Sequence, residues 1–288
     1  MGIVQEVARM YFSYFPIEKG KWFFWQLFNS RCTTCPPAVI EYPLKYGISM
    51  RLNTGDKLDY FIYYWRCWEP NETWLIRQIL RPGDTFVDIG ANIGYFSLLA
   101  GKIIGAKGQV HAFEPVPPTV EKLRHNVAIN KFTNVMIHDY ALADKEGSVR
   151  INQLIEHNPG MNSMRADISG TGKFWDIPAK QLDSVLADSG PIRLVKIDVE
   201  GAEMLVLNGF RKHLAANDAP AILCEVTGSY MRSLGSSPEE LFSVMNELGY
   251  RGYLLDNLKL TPASYSDLLA LCTDSAPNVL FSKTSPLG

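Results

Sequence analysis

The segment from Thr85 to Phe96 constrains the fold of this chain more than any other. An apolar, β-forming run ends at Asp88, turns at Gly90 and passes Gly94 into a helical pattern. In open parallel α/β sheets such a turn lies at the carboxyl end of a strand, where backbone N–H groups and the helix dipole face the ligand crevice. The segment therefore predicts a Rossmann-like α/β fold with a mostly parallel sheet.

A second apolar run, Gln109 to Glu114, also ends on a carboxylate. It follows the first by about two dozen residues, a spacing at which an acidic residue binds ribose hydroxyls. The two strand-end acids together indicate a nucleoside cofactor.

The first turn distinguishes between two such cofactors. Its pattern is D-x-G-x-x-x-G, and Ala91-Asn92 breaks the G-x-G-x-x-G fingerprint of nicotinamide dinucleotides. Asp88 would also lie beside the negative pyrophosphate, whereas S-adenosylmethionine has no phosphate and carries a positive amino group and sulfonium. S-adenosylmethionine is therefore favoured, and an NAD(P)-dependent oxidoreductase is the alternative.

A third segment, Arg193 to Glu203, supplies candidate catalytic residues. A β-branched run ends at Asp198, so Asp198 and Glu200 are expected at the carboxyl edge of the sheet, facing the cofactor crevice. Glu225 ends the next predicted strand and reaches the same edge. We predict these three carboxylates as candidate bases for methyl transfer to a hydroxyl by in-line displacement. Glu203 is interpreted as part of a helix start.

The sequence does not identify a metal. Three carboxylates at one edge suit Mg²⁺, which would lower the pKa of an acceptor hydroxyl, so a divalent metal is not excluded. A metal-free reaction is the expectation.

Composition and charge exclude several classes of protein. The chain has 288 residues, of which 47% are hydrophobic and 20% are charged, as in ordinary globular proteins. Its net charge of −2 gives no electrostatic footprint for nucleic acid. The five cysteines include a lone pair, Cys32 and Cys35, without further ligands at zinc spacing. A reduced, cytoplasmic protein is expected.

The N-terminal segment, residues 1–80, is predicted to be an aromatic-rich extension. Its apolar stretches are too short for a transmembrane segment, which needs roughly 18 apolar residues. Packing onto the main domain is expected. The alternatives are a substrate lid, an acceptor-binding segment, a contact between copies in a homo-oligomer and a peripheral membrane contact. Its aromatic residues could stack on sugar rings, although large aromatics more often lie in a core; they are Trp22, Trp25, Tyr60, Tyr63, Tyr64, Trp65 and Trp68.

The main domain, residues 81–288, alternates strand and helix patterns, which predicts helices on both faces of the sheet. Predicted strands are 85–89, 109–114, 134–138, 192–198, 221–226, 250–254 and 278–282. Predicted helices are 94–104, 117–130, 201–208 and 238–248. Between 139 and 191 the pattern predicts an extra hairpin and loops. His138 ends the third strand and is a candidate for contact with cofactor or acceptor.

Three motifs in combination resemble the FkbM-type methyltransferases. They are Val87 to Gly94, Phe113-Glu114-Pro115 and Lys196 to Glu203, and Leu123, Asn126 and Asn130 also match. The resemblance covers residues 84 to 227, about half the chain. It implies a class I methyltransferase with a seven-stranded sheet whose last strand, 278–282, is antiparallel.

The resemblance also implies S-adenosylmethionine as donor and a small-molecule or glycan acceptor, such as a polyketide-like secondary metabolite. The implied cofactor residues are Asp88, Gly90, Asn92, Gly94 and Glu114. Asp139, Tyr140 and Ala141 would lie near the adenine. A catalytically silent module that binds the cofactor is a further alternative.

Overall fold

The computed structural model describes residues 38–153, 162–164, 172–187, 189–216, 218–273 and 275–287. The chain divides into two compact units, residues 1–69 and 70–288. Cys32, Cys35, Trp22 and Trp25 lie outside the described residues.

The described part of the first unit is a hairpin followed by a helix. The antiparallel strands β1 (Val39–Pro43) and β2 (Ser49–Asn53) precede helix α1 (Lys57–Trp65). The rings of Tyr60 and Tyr64 lie 4.8 Å apart, and Tyr63 and Tyr64 are buried. These two tyrosines therefore pack in the interior of the unit, as large aromatics most often do. The functional role of the extension stays a prediction.

The second unit contains the predicted α/β domain. Its strands are β3 (Thr85–Ile89), β4 (Gln109–Phe113), β5 (Val135–His138), β6 (Ala141–Leu142), β7 (Gly147–Gln153), β8 (Asn162–Ser163), β9 (Phe174–Lys180), β10 (Leu194–Ile197), β11 (Ala221–Glu225), β12 (Arg251–Asp256), β13 (Lys259–Pro262) and β14 (Asn278–Ser282). Its helices are α2 (Pro70–Ile79), α3 (Tyr95–Ile104), α4 (Pro117–Ile129), α5 (Leu182–Val185), α6 (Glu203–Asn208), α7 (Arg211–Ala215), α8 (Gly228–Ser233), α9 (Pro238–Glu247) and α10 (Tyr265–Leu271).

The large sheet has the order β13-β12-β14-β11-β10-β3-β4-β5. Strands β11, β10, β3, β4 and β5 pair in parallel, and β14 runs antiparallel to both of its neighbours. This arrangement confirms the class I methyltransferase architecture with an antiparallel last strand. In the described part of the chain the sheet has eight strands rather than the expected seven, because the short strand β13 pairs with β12 at its edge.

The boundary between the units lies before helix α2, whereas the sequence placed it near residue 80. Leu75, Ile76 and Ile79 of this helix are buried, and the helix packs against α3 and β12 of the second unit. Its apolar face therefore contributes to the core of the methyltransferase domain.

A small second sheet follows the first three strands. Strands β7 and β9 pair antiparallel, and β6 and β8 lie at its edges. It accounts for the irregular pattern between residues 139 and 191. Residues 154–161, which precede β8, lie outside the described residues.

The two faces of the large sheet differ in character. Val87, Phe113 and Val195 lie on one face and belong to a large hydrophobic cluster. Side chains alternate along a strand, so Asp88 and its register partner Lys196 lie on the opposite face. That second face carries the polar groups of the candidate site.

Candidate active site

The predicted site residues lie at the carboxyl ends of four adjacent parallel strands. Asp88 is on β3, Glu114 follows β4, Asp198 follows β10 and Glu225 ends β11. The Asp198 N–H donates to the carbonyl of Ile89 at 3.0 Å, which joins the ends of β10 and β3. The fold therefore brings these four carboxylates to one edge of the sheet.

Asp88 is a buried carboxylate with one oxygen available. Only 1% of the residue is exposed. The Ser97 hydroxyl of α3 donates to its Oδ2 at 2.5 Å, while Oδ1 has no hydrogen-bond partner in the described part of the chain. Burial raises the pKa of Asp88, and the nearby Lys196 opposes that shift. Since an unpaired buried acceptor is costly, Oδ1 is suited to a donor group on a ligand.

Lys196 is the cation of the site. Its Nζ lies 2.7 Å from Oδ2 of Asp198 and 4.8 Å from the centre of the Phe96 ring. The residue is 3% exposed. A buried ammonium requires compensating charge and hydrogen bonds, and Asp198 supplies both. In the sequence, Lys196 stood out only as part of the motif from Lys196 to Glu203.

Gly90 lets the turn approach the end of β10. Its φ is +82°, and a Cβ at this position would lie 1.9 Å from the backbone oxygen of Asp198. Glycine is therefore required by both backbone conformation and close contact.

Gly94 and Asn126 fix the far side of the same turn. A Cβ at Gly94, whose φ is +96°, would lie 2.5 Å from a methyl carbon of Leu123 on α4. The Asn126 amide donates to the carbonyl of Ile93 at 2.8 Å. These contacts give a physical reason for the Leu123 and Asn126 matches.

Glu114 joins the turn to the end of β4. Its two carboxylate oxygens accept from the N–H of Asn92 at 3.0 Å and that of Val116 at 2.9 Å. Burial raises the pKa of Glu114 to about 7, although both backbone donors oppose this shift. Each oxygen retains a further lone pair, so the carboxylate can still accept from ribose hydroxyls. The side-chain Oδ1 of Asn92 is buried and has no partner among the residues described.

The loop after β10 has an unusual backbone. Glu200 and Gly201 both have positive φ, at +52° and +104°. Helix α6 begins at Glu203, so Glu203 lies in a first helical turn as predicted, and Ala202 occupies the cap position.

Glu203 is more than a solvated helix start. Its Oε1 accepts from the Gly201 N–H at 3.0 Å, and its Oε2 is buried without a partner in the described chain. Burial raises the pKa of Glu203 to about 7. The carboxyl thus holds the strained loop from the interior.

His138 is poorly suited to act as a base. Its Nε2 lies 3.2 Å from Nδ1 of His111, its Nδ1 lies 3.1 Å from the Tyr140 hydroxyl, and its ring stacks on Phe113. Burial and the neighbouring His111 lower the pKa of His138 to about 4. Both ring nitrogens are engaged, and the residue lies on the face opposite Lys196.

Asp139, Tyr140 and Ala141 follow β5 at the same edge of the sheet. The exposed Asp139 forms an ion pair with Arg124 at 3.0 Å. Tyr140 lies under Lys180, whose Nζ is 4.3 Å from the ring centre, and Ala141 is buried in β6. Their role near an adenine stays a prediction.

Glu72 is a further buried carboxylate that the sequence analysis missed. It lies in the first turn of α2, is 5% exposed, and interacts electrostatically with Lys196 and Asp198. The one sequence signal for Glu72 is that a glutamate stands at the start of the largely apolar run Glu72-Thr73-Trp74-Leu75-Ile76.

The charges of the site suit a cationic ligand. In the part of the chain that the structure describes, Glu72, Asp88 and Asp198 all interact with the ammonium of Lys196. This excess of carboxylate would repel a pyrophosphate and attract an ammonium or sulfonium group. The residues present therefore fit S-adenosylmethionine better than a dinucleotide.

The described residues contain neither a metal-binding cluster nor a membrane-spanning helix. No group of three or more His, Cys, Asp or Glu side chains is arranged to hold a metal ion. Among the helices described, none combines the length and apolar character that a membrane crossing requires.

Comparison with protein families gives one match that spans more than half of the chain. The family described as "Methyltransferase FkbM domain" matches residues 88–251.

Three curated methyltransferases are similar to this chain at 28% to 31% sequence identity. The 31-O-demethyl-FK506 methyltransferase FkbM of Streptomyces tacrolimicus is 31% identical over 159 residues, which cover 45% of this chain and 60% of that protein. Methyltransferase 1 of Beauveria bassiana is 28% identical over 172 residues, covering 52% and 68%. Methyltransferase sdnD of Sordaria araneosa is 30% identical over 160 residues, covering 44% and 61%. The chain thus spans about three-fifths to two-thirds of each of these curated relatives.

Solved structures of methyltransferases are similar to this chain with TM-scores of about 0.4. A precorrin-6y C5,15-methyltransferase from Geobacter metallireducens has a TM-score of 0.41 and 13% identity, covering 74% of this chain and 85% of its own. An S-adenosylmethionine-dependent O-methyltransferase from Thermotoga maritima has a TM-score of 0.40 and 15% identity, covering 88% and 79%. The strand order itself establishes the fold.

Proposed function

This chain belongs to the FkbM-type family of S-adenosylmethionine-dependent methyltransferases, and from that premise we propose that it methylates a hydroxyl oxygen. The acceptor we propose is a secondary metabolite of polyketide type or a glycan. The proposal depends on the group of carboxylates at the strand ends, which supplies both a cation site and candidate bases.

The observation that carries the proposal is the Oδ1 of Asp88 before the Gly90 turn, which is buried and has no hydrogen-bond partner among the residues that the structure describes. A buried acceptor in a region of excess negative charge suits a positively charged donor molecule. Glu114 would accept from the ribose hydroxyls, and the backbone N–H groups of the turn would face the donor's carboxylate. Bound in this way, S-adenosylmethionine supplies an electrophilic methyl group.

The chain must then orient the acceptor hydroxyl and receive its proton. Holding two reactants in position contributes roughly 7–11 kcal/mol in favourable cases, so orientation is expected to be the largest effect. Asp198, Glu200 and Glu225 are the candidate bases. Asp198 leads this group because its contact with Lys196 keeps its carboxylate oriented while 27% of its side chain stays exposed.

The acceptor class rests on a relative. The Streptomyces tacrolimicus protein is named for 31-O-demethyl-FK506, so its name specifies methylation at oxygen. At 31% identity, the similarity supports methylation at an oxygen atom, but it does not support a particular acceptor molecule.

The direct test is incubation with methyl-labelled donor and a panel of hydroxylated acceptors, followed by mass spectrometry of the products. We expect label on the oxygen of an alcohol or sugar hydroxyl. Label found on nitrogen or carbon would reject O-methylation. Donor binding without turnover on any acceptor in the panel would favour a silent module, and calorimetry with NAD(H) tests the oxidoreductase alternative.

A further inference from the structure

Glu72 lies outside the residues matched by the family and is not one of the groups discussed above as donor ligands. It is the third residue of α2 and is 5% exposed. Glutamate is rarely buried to this extent without a compensating partner. The backbone N–H of Glu72 donates to its own carboxylate, and Lys196 supplies an electrostatic attraction.

Contacts of its two neighbours fix the position of Glu72. The Thr73 hydroxyl donates to the Tyr95 hydroxyl at 3.2 Å, and Tyr95 is the first residue of α3, directly after Gly94. Asn71 accepts from the N–H of Leu258 at 2.8 Å, at the turn between β12 and β13. The first turn of α2 is thus held against the start of the helix that follows the cofactor turn.

The charged groups beside Glu72 are unbalanced. Glu72 and Asp88 each interact with Lys196 and with Asp198. Among the described residues, these three carboxylates therefore interact with one ammonium group. Burial raises the pKa of both Glu72 and Asp88, and the nearby Lys196 offsets that shift only in part.

A cationic ligand that binds beside these carboxylates should also donate hydrogen bonds. Asp88 is 1% exposed, and its Oδ1 lacks a partner among the described residues. A sulfonium has no N–H group and cannot supply that bond, whereas an alkylammonium has three.

We propose that Glu72, together with Asp88, binds the α-ammonium group of the methyl donor's amino-acid moiety. This inference rests on the proposed function, because it assumes that the donor occupies this edge of the sheet. In this role Glu72 contributes directly to the affinity for the donor. A glutamate that only compensated the charge of Lys196 would make no such contribution.

The test compares two ligands that differ in the amino-acid moiety. S-adenosylhomocysteine carries the α-ammonium, and 5′-methylthioadenosine has the same nucleoside and thioether without it. By titration calorimetry, Glu72→Gln should weaken S-adenosylhomocysteine binding by roughly 10- to 100-fold, as for a lost charge-assisted hydrogen bond. The affinity for 5′-methylthioadenosine should change by less than about twofold, since the remaining contacts are retained.

Glu121→Gln is the matched control, because Glu121 is exposed on α4 and the same substitution there should affect neither ligand. If Glu72→Gln does not fold, Glu72→Asp retains the charge on a shorter side chain and should show a smaller loss confined to S-adenosylhomocysteine. Equal losses for both ligands, or no loss for either, would overturn the inference. Failure of the unmodified protein to bind S-adenosylhomocysteine would instead reject the proposed function itself.

Discussion

The side-chain ammonium of Lys196 lies 2.7 Å from the Oδ2 atom of Asp198. The lysine side chain is 4% exposed and that of Asp198 is 27% exposed, so the pair extends from the interior to the surface of the site. This contact links the buried end of β10 to the loop that carries two candidate bases. It gives a physical reason for a lysine two residues before the aspartate.

Replacing Lys196 by methionine should destabilise the protein. The variant would leave Glu72, Asp88 and Asp198 without their common cation, and breaking a buried pair costs roughly 3–5 kcal/mol. We expect about 3 kcal/mol, because Asp198 is partly hydrated. Urea unfolding at neutral pH measures the change, with Lys107→Met at an exposed position as control. Equal stability of the two variants would show that Lys196 does not compensate these carboxylates.

Gly90→Ala should be more harmful than Gly83→Ala. Both glycines have positive φ, at +82° and +91°, so both substitutions carry a backbone cost of about 1 kcal/mol. A Cβ at Gly83 meets nothing within 4 Å, whereas one at Gly90 meets the Asp198 oxygen at 1.9 Å. We expect a total of roughly 2–4 kcal/mol for Gly90→Ala and weaker binding of S-adenosylhomocysteine. Similar unfolding energies for both variants would contradict the close approach of turn and strand.

The kcat values of variants, measured with an acceptor that the protein methylates, should show which of the candidate carboxylates acts as the base. Asp198→Asn should lower kcat by about 10²–10⁴-fold if Asp198 receives the proton. Glu200→Gln and Glu225→Gln should have smaller effects, with donor affinity close to that of the unmodified protein. Full activity in both Asp198→Asn and Glu200→Gln would remove the two leading candidates.

The stability of the protein should depend on pH through Glu203. Its pKa rises from 4.5 to about 7 on folding because of burial, so the folded protein binds the proton more tightly than the unfolded chain. The free energy of unfolding should therefore fall as pH rises from 4.5 to about 7 and level off above that range. Urea unfolding across this range should show a smaller slope for Glu203→Gln. An unchanged slope would mean that Glu203 does not titrate as its burial implies.

Much of the fold could be predicted from the sequence. The bounds of β3 and β14 agree with the predicted 85–89 and 278–282, because β-branched and apolar residues stop abruptly at turns there. Helix α2 was predicted as part of the N-terminal extension, because the turn Arg81–Asp84 resembled a domain boundary. In the structure this helix belongs to the second unit. Burial of Leu75 and Ile76 is a tertiary effect that local sequence does not contain.

The site was predictable only in part. Strand-end acids such as Asp88 and Glu114 were found because parallel strands end at a common edge. Glu72 and Ser97 were missed because both come from helices, and nothing in the local sequence indicates which helical face meets Asp88. His138 lies at the expected strand end, but its engagement by His111 and Tyr140 depends on neighbouring segments.

The most direct test of this account is a crystal structure of the protein with S-adenosylhomocysteine. We expect the ligand at the Gly90–Gly94 turn, with its ribose hydroxyls on Glu114 and its ammonium near Asp88. A ligand bound elsewhere, or a turn that stays empty at saturating concentration, would contradict the assignment of this edge as the donor site.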